Sequence, residues 1–143
     1  MFFASSIIYT FTFTVSRGYF SGIGCERLLN QFNGLIEKNY KTGKIVGDPT
    51  YFLFLPGNLK KEFISEHALF RWINEKGVAG LQNIFKGNRI NIFVYSPYWW
   101  SDRCRNNSSV CDNLNQFLGE KGELLRIIRR NNRLVDYIYR IRN

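Results

Sequence analysis

Arg89-Ile90-Asn91-Ile92-Phe93-Val94-Tyr95-Ser96-Pro97-Tyr98-Trp99-Trp100-Ser101 is the stretch on which the fold turns. Its first part is β-branched and aromatic and follows Gly87-Asn88, so it reads as a strand. The strand enters an unusual aromatic run from Ser96 to Ser101. Three consecutive aromatics cannot all face inward at a strand end, so at least one of them is expected to face a groove.

Helical spacing appears on both sides of this strand. Upstream, Leu59 to about Lys76 places Phe63, His67, Phe70 and Ile73 in line, with Leu69 and Trp72 beside them, and Gly77 and Gly80 close or interrupt the helix. Downstream, Val110, Leu114, Phe117 and Leu118 share one face of a helix that ends near Gly119 to Gly122. Further upstream, after a glycine-rich break at Gly18 to Gly24, Leu28, Leu29, Phe32, Leu35 and Ile36 mark a first helix. Glu26 near its start and Lys38 near its end suit the helix dipole. Between the first two helices, Lys44–Val46 and Thr50–Leu55 flank Gly47-Asp48-Pro49 and read as a hairpin. The tail from Glu123 to Asn143 reads as a strand, a turn at Asn131-Asn132, and then a strand or a helix. This pattern predicts an α/β fold: a three-layer α/β/α sandwich around a central mixed sheet of about five strands.

At 143 residues the chain fits one domain, residues 1–143, with a core rich in phenylalanine and tyrosine. Residues 1–16 carry two readings. Thr10 to Val15 alternates as a half-buried strand does, whereas the whole uncharged, largely apolar segment is similar to the core of a signal peptide. The run is too short for a transmembrane helix. Cys104 and Cys111 can close a short disulfide loop in an oxidising compartment, leaving Cys25 over. Overlapping glycosylation sequons at Asn106 and Asn107 also fit a secreted chain.

The formal charge of +9 attracts polyanions or an anionic membrane surface, with nucleic acid the first candidate. In the tail, Lys121, Arg126, Arg129, Arg130, Arg133, Arg140 and Arg142 face only Glu123 and Asp136. If nucleic acid binds, Arg126, Arg129, Arg130 and Arg133 are its best contacts, and Trp99 or Trp100 can stack a base.

Two short stretches and the order helix, hairpin, helix, strand, helix, strand resemble the cytidine-deaminase-like superfamily, the AID/APOBEC-like deaminases in particular. The run Tyr95 to Cys104 is similar to that family's Ser-Trp-Ser-Pro-Cys-x-x-Cys segment, and Ile64-Ser65-Glu66 lies where its His-x-Glu would be. The resemblance implies a catalytic role for Glu66 and a zinc-ligand position at Cys104, while Ile64, Trp100 and Ser101 replace the family's histidine, proline and first cysteine. It also implies zinc as cofactor and single-stranded DNA, RNA or a nucleoside as partner. His67 lies one position off, about 100° farther round the helix. A metal set would draw on His67, Ser101 and Cys104, or on His67, Cys104 and Cys111. The ordinary readings are a core-facing His67 and a solvated Glu66.

Three functions follow. The resemblance implies a deaminase-fold protein acting on or binding single-stranded nucleic acid or nucleosides, with an impaired metal motif. Alternatively it is a noncatalytic basic nucleic-acid-binding module, or a small secreted toxin or nuclease using His67 and Glu66 for acid–base chemistry. A single histidine excludes a two-histidine nuclease.

Overall fold

The computed structural model describes residues 22–129 and 135–142. The strand expected at Thr10–Val15, the signal-like segment and the turn at Asn131-Asn132 lie outside them. In chain order the elements are α1 (Gly22–Asn39), β1 (Lys44–Gly47), α2 (Pro49–Phe54), a 3-10 segment (Gly57–Glu62), β2 (Phe63–Ser65), α3 (Glu66–Lys76), a 3-10 turn (Val78–Gly80), α4 (Leu81–Gly87), β3 (Ile90–Tyr95), α5 (Pro97–Cys104), α6 (Ser108–Lys121), β4 (Gly122–Arg129) and β5 (Val135–Ile141).

The five strands form one open mixed sheet in the order β2-β1-β3-β5-β4. β1 runs parallel to β2 and to β3, with Ile45 opposite Phe63 and Ile92. β5 runs antiparallel to β3 and to β4. Alternation along the central strand sends Phe93 and Tyr95 to one face and Ile92 and Val94 to the other. Each face has its own core. On one side Val46, Phe93 and Tyr95 pack with Leu69 and Ile73 of α3, Ile84 and Phe85 of α4, Trp100 of α5, and Leu114 and Phe117 of α6. On the other, Ile45, Ile92, Val94 and Ile138 pack with Phe32 and Ile36 of α1 and Tyr51 and Phe54 of α2. The α/β class, the central sheet of five strands and the helices carrying residues 28–36 and 110–118 are therefore as the sequence reading has them.

Three local readings are corrected. The hairpin at 44–55 is a strand followed by a helix: the Asp48 carboxylate accepts hydrogen bonds from the Thr50 amide (2.8 Å) and the Thr50 hydroxyl (2.6 Å). Pro49 then occupies the first helical turn, where its missing N–H costs nothing. The continuous helix at 59–76 is a 3-10 segment, a three-residue strand and then α3, because Phe63–Ser65 gains a parallel partner in β1. The aromatic run 97–101 is part of a helix, α5, again opened by a proline.

α5 and α6 are joined by a disulfide between Cys104 and Cys111. This bond realises the pairing that the sequence offers for an oxidising compartment. Among the described residues no helix is long and apolar enough to cross a membrane.

Candidate nucleic-acid interface

The parallel strands β1, β2 and β3 end side by side, and their carboxyl ends lead into Asp48, Glu66 and Ser96, all three at or next to a helix start. Glu66 is the first residue of α3 and is wholly buried, contrary to its ordinary solvated reading. The indole Nε1 of Trp100 donates to its Oε2 at 3.2 Å. This contact ties the start of α3 to α5, the two segments that the deaminase resemblance places together. Asp136, at the adjoining end of β5, is also buried and accepts a hydrogen bond from the Tyr51 hydroxyl.

His67 is not core-facing, because the buried side of α3 is set by Glu66, Leu69 and Ile73 and His67 falls outside it. Its ring meets Trp99 edge-on at 4.9 Å. The Arg103 guanidinium covers the Trp99 ring at 3.9 Å from its centroid, close cation–π range. Partial desolvation, then the Arg103 charge, push the His67 imidazole below its ordinary range, with Asp48 opposing them. The unfolded chain therefore takes up this proton first. The stability His67 contributes is complete above the ordinary imidazole pKa of about 6.5 and is lost as pH falls towards the lower folded value. His67 is the chain's single histidine, so its proton NMR titration is unambiguous. We expect a midpoint below about 6.5 that rises in Arg103→Ala; a midpoint at or above that value, or one indifferent to Arg103, would contradict the geometry.

The residues that the resemblance assigns to zinc do not fit the metal here. The sulfur of Cys104 is bonded to Cys111. Ser101 is exposed and its hydroxyl donates to the Tyr98 carbonyl at 3.0 Å, and His67 is turned to Trp99. Among the described residues no group of three His, Cys, Asp or Glu side chains is placed to hold a metal ion.

The aromatic run divides. Trp100 is fully buried and offers no face to a base, which corrects its reading as a stacking platform. Trp99 is half-buried beneath Arg103. Tyr98, 63% exposed, is the ring that faces solvent. A proline-opened helix spaces these three side chains about 100° apart, so only one can point fully inward.

The basic tail folds as the β4–β5 pair, with β4 at the sheet edge. Arg126 and Arg129 are exposed on β4, as are the apolar side chains Leu124 (47%) and Ile127 (45%). Tyr137 and Tyr139, half-buried, lie opposite Ile127 and Leu124 across the pair. Burial, then the neighbouring Tyr137, push the Tyr139 hydroxyl up. The acid on this strand, Glu123, is held by Arg140 at 3.4 Å. Arg130 and Arg133 lie outside the described residues.

On the other face of this edge, a groove of about 500 Å³ runs between α1 and β4. Asn30, Gln31, Gly34, Leu35, Lys38 and Asn39 line it from α1, and Leu125 and Arg126 from β4. The sequence reading missed the α1 residues. Their spacing at 30/31, 34/35 and 38/39 marks a polar helix face, a signal shared by most solvated helices. No family model matches this chain, and neither a curated protein nor a solved structure matches it.

Proposed function

We propose that this protein is a basic α/β module that binds single-stranded nucleic acid along the β4–β5 edge. The observation that carries the reading is the exposure of Arg126 and Arg129 on an edge strand whose one acid, Glu123, is already paired with Arg140. Cations on such an edge neutralise phosphates and release condensed counterions, which drives binding without regard to sequence. The exposed Leu124 and Ile127, with Tyr137 and Tyr139 beside them, supply an apolar surface for bases, whose faces are unstacked only in a single strand. The test is binding of a mixed-sequence single-stranded oligonucleotide in low salt, with duplex of the same sequence as competitor. The single strand is expected to win, and preference for duplex would overturn the reading.

A second reading keeps the deaminase resemblance and rests on Glu66. Its carboxylate opens α3 and meets Trp100, in the segment that follows β3. The parallel β1–β2 pair has taken the place of the hairpin, so this reading stands on that juxtaposition and on the layered α/β architecture rather than on element order. Conversion of cytidine to uridine in a single-stranded oligonucleotide, abolished by Glu66→Ala, would support it. No conversion by the folded protein, or conversion that survives the substitution, would defeat it.

A further inference from the structure

The groove between α1 and β4 has the size, polarity and charge of a site for one small anion-bearing ligand. Its volume of about 500 Å³ lies within the ordinary range of small-molecule sites. Two cations, Lys38 and Arg126, stand on its opposite walls, and among the described residues no acidic side chain lines it. Neither cation is held in an ion pair among the described residues. Asn30 and Gln31 lie two turns before Lys38, roughly 10–12 Å along the helix axis, and each amide offers both a donor and an acceptor. Leu35 and Leu125 give the walls an apolar part.

Gly34 stands between the cationic and the amide ends. Inside a helix a glycine costs about 1 kcal/mol relative to alanine, and a Cβ built here would meet nothing within 4 Å. Gly34 thus leaves open space at its place in the groove's lining, between the amide and the cationic ends.

We propose that this groove binds a nucleotide 5′-monophosphate. Lys38 and Arg126 hold the phosphate, the Asn30 and Gln31 amides meet the edge of the base, and Leu35 and Leu125 pack on the ring. A phosphate alone would leave the amide end unused, and an uncharged nucleoside would leave the cations unused. The site needs no polymer. It shares Arg126 with the proposed polynucleotide edge but does not involve Arg129, which lies next to the inward-facing Ile128 and so on the opposite face of the sheet.

Calorimetric titration of the full chain tests this, with adenosine 5′-monophosphate and cytidine 5′-monophosphate as ligands and adenosine and inorganic phosphate as separate arms. Both monophosphates should bind saturably with one site per chain, and phosphate or nucleoside alone about tenfold or more weakly, as expected when a charge-assisted contact is lost. Gly34→Leu, which fills the groove from an exposed helix position, should abolish binding. Lys38→Glu, an exposed change that does not touch the core, should weaken it at least about tenfold. Arg129→Ala should leave it unchanged. No saturable binding at millimolar monophosphate, equal affinity for inorganic phosphate, or binding that survives both groove variants would overturn the proposal. Oligonucleotide binding without monophosphate binding would remove this site and leave the polynucleotide edge standing; the reverse result would do the opposite.

Discussion

Trp100→Ala is expected to lower the unfolding free energy by about 3–5 kcal/mol, the cost typical of emptying a large buried aromatic site. Trp100 has no exposed surface and is surrounded by rings: Trp99 at 5.1 Å, Phe70 at 5.9 Å, Phe93 at 6.3 Å and Tyr95 at 6.4 Å between centroids. These neighbours belong to three separate elements, so the cavity cannot close by the movement of one. The substitution also removes the indole donor from the buried Glu66 carboxylate, and loss of one partner from a buried polar group costs about 1–3 kcal/mol. Against a total stability of about 5–15 kcal/mol, the variant should be marginally folded. Urea denaturation followed by circular dichroism measures it. Trp100→Phe, which keeps one aromatic ring but loses the N–H together with part of the fused-ring volume, should cost less than Trp100→Ala, because it leaves a smaller cavity while removing the same donor from Glu66. A Trp100→Ala protein within about 1 kcal/mol of the parent would contradict this packing, because losses that small belong to surface sites.

Replacing Arg126 and Arg129 together with alanine is expected to change how oligonucleotide affinity responds to salt. Each phosphate contact to a single strand contributes about 0.7 to the slope of log affinity against log salt, so losing two lowers it by roughly 1.4. Between about 50 and about 200 mM salt the parent should therefore lose on the order of sevenfold more affinity than the variant. Both arginines are exposed on a strand edge, so the change should leave stability nearly untouched. Ile127→Ala offers a contrast. This exposed apolar side chain on the same strand carries no charge, so its loss should weaken binding with the slope nearly unchanged. An Arg126/Arg129 variant with the parent's slope would place the phosphate contacts elsewhere.

What the sequence discloses follows the range of the forces involved. β3 and α6 are legible because each repeats a local period over at least six residues, whereas the last tail segment reads equally as strand or helix until its pairing with β3 and β4 makes it β5. The two places where a helix was read as something else share one feature, a proline at the first helical turn, at Pro49 and at Pro97. Gly47-Asp48-Pro49 satisfies both a turn signature and a helix-start signature, and only the bond from Thr50 to the Asp48 carboxylate decides between them. β2 has no local signal, since three residues become a strand by pairing with a segment 18 positions earlier. Its omission carries a further error. Phe63 belongs to this strand, so a helical wheel that includes it turns the buried face of α3 by one position and puts His67 in the place of Glu66. A buried glutamate is also rare enough that residue type alone argues against it.

The candidate sites divide along the same line. The charge of the tail is a property of the sequence, and it leads directly to Arg126 and Arg129. The Cys104–Cys111 pairing is legible as a short loop, and with it goes the sulfur on which a metal site would depend. The groove beside β4 needs α1 and the tail strand to meet across about 90 residues of chain, a contact that no local pattern announces.

The central claim, binding of single-stranded nucleic acid by the β4–β5 edge, is tested most directly by titrating the unaltered protein with a fluorescent single-stranded oligonucleotide at several salt concentrations. The log of affinity should fall linearly and steeply with the log of salt, with little preference among sequences. Micromolar protein that shows no binding at low salt would contradict the claim.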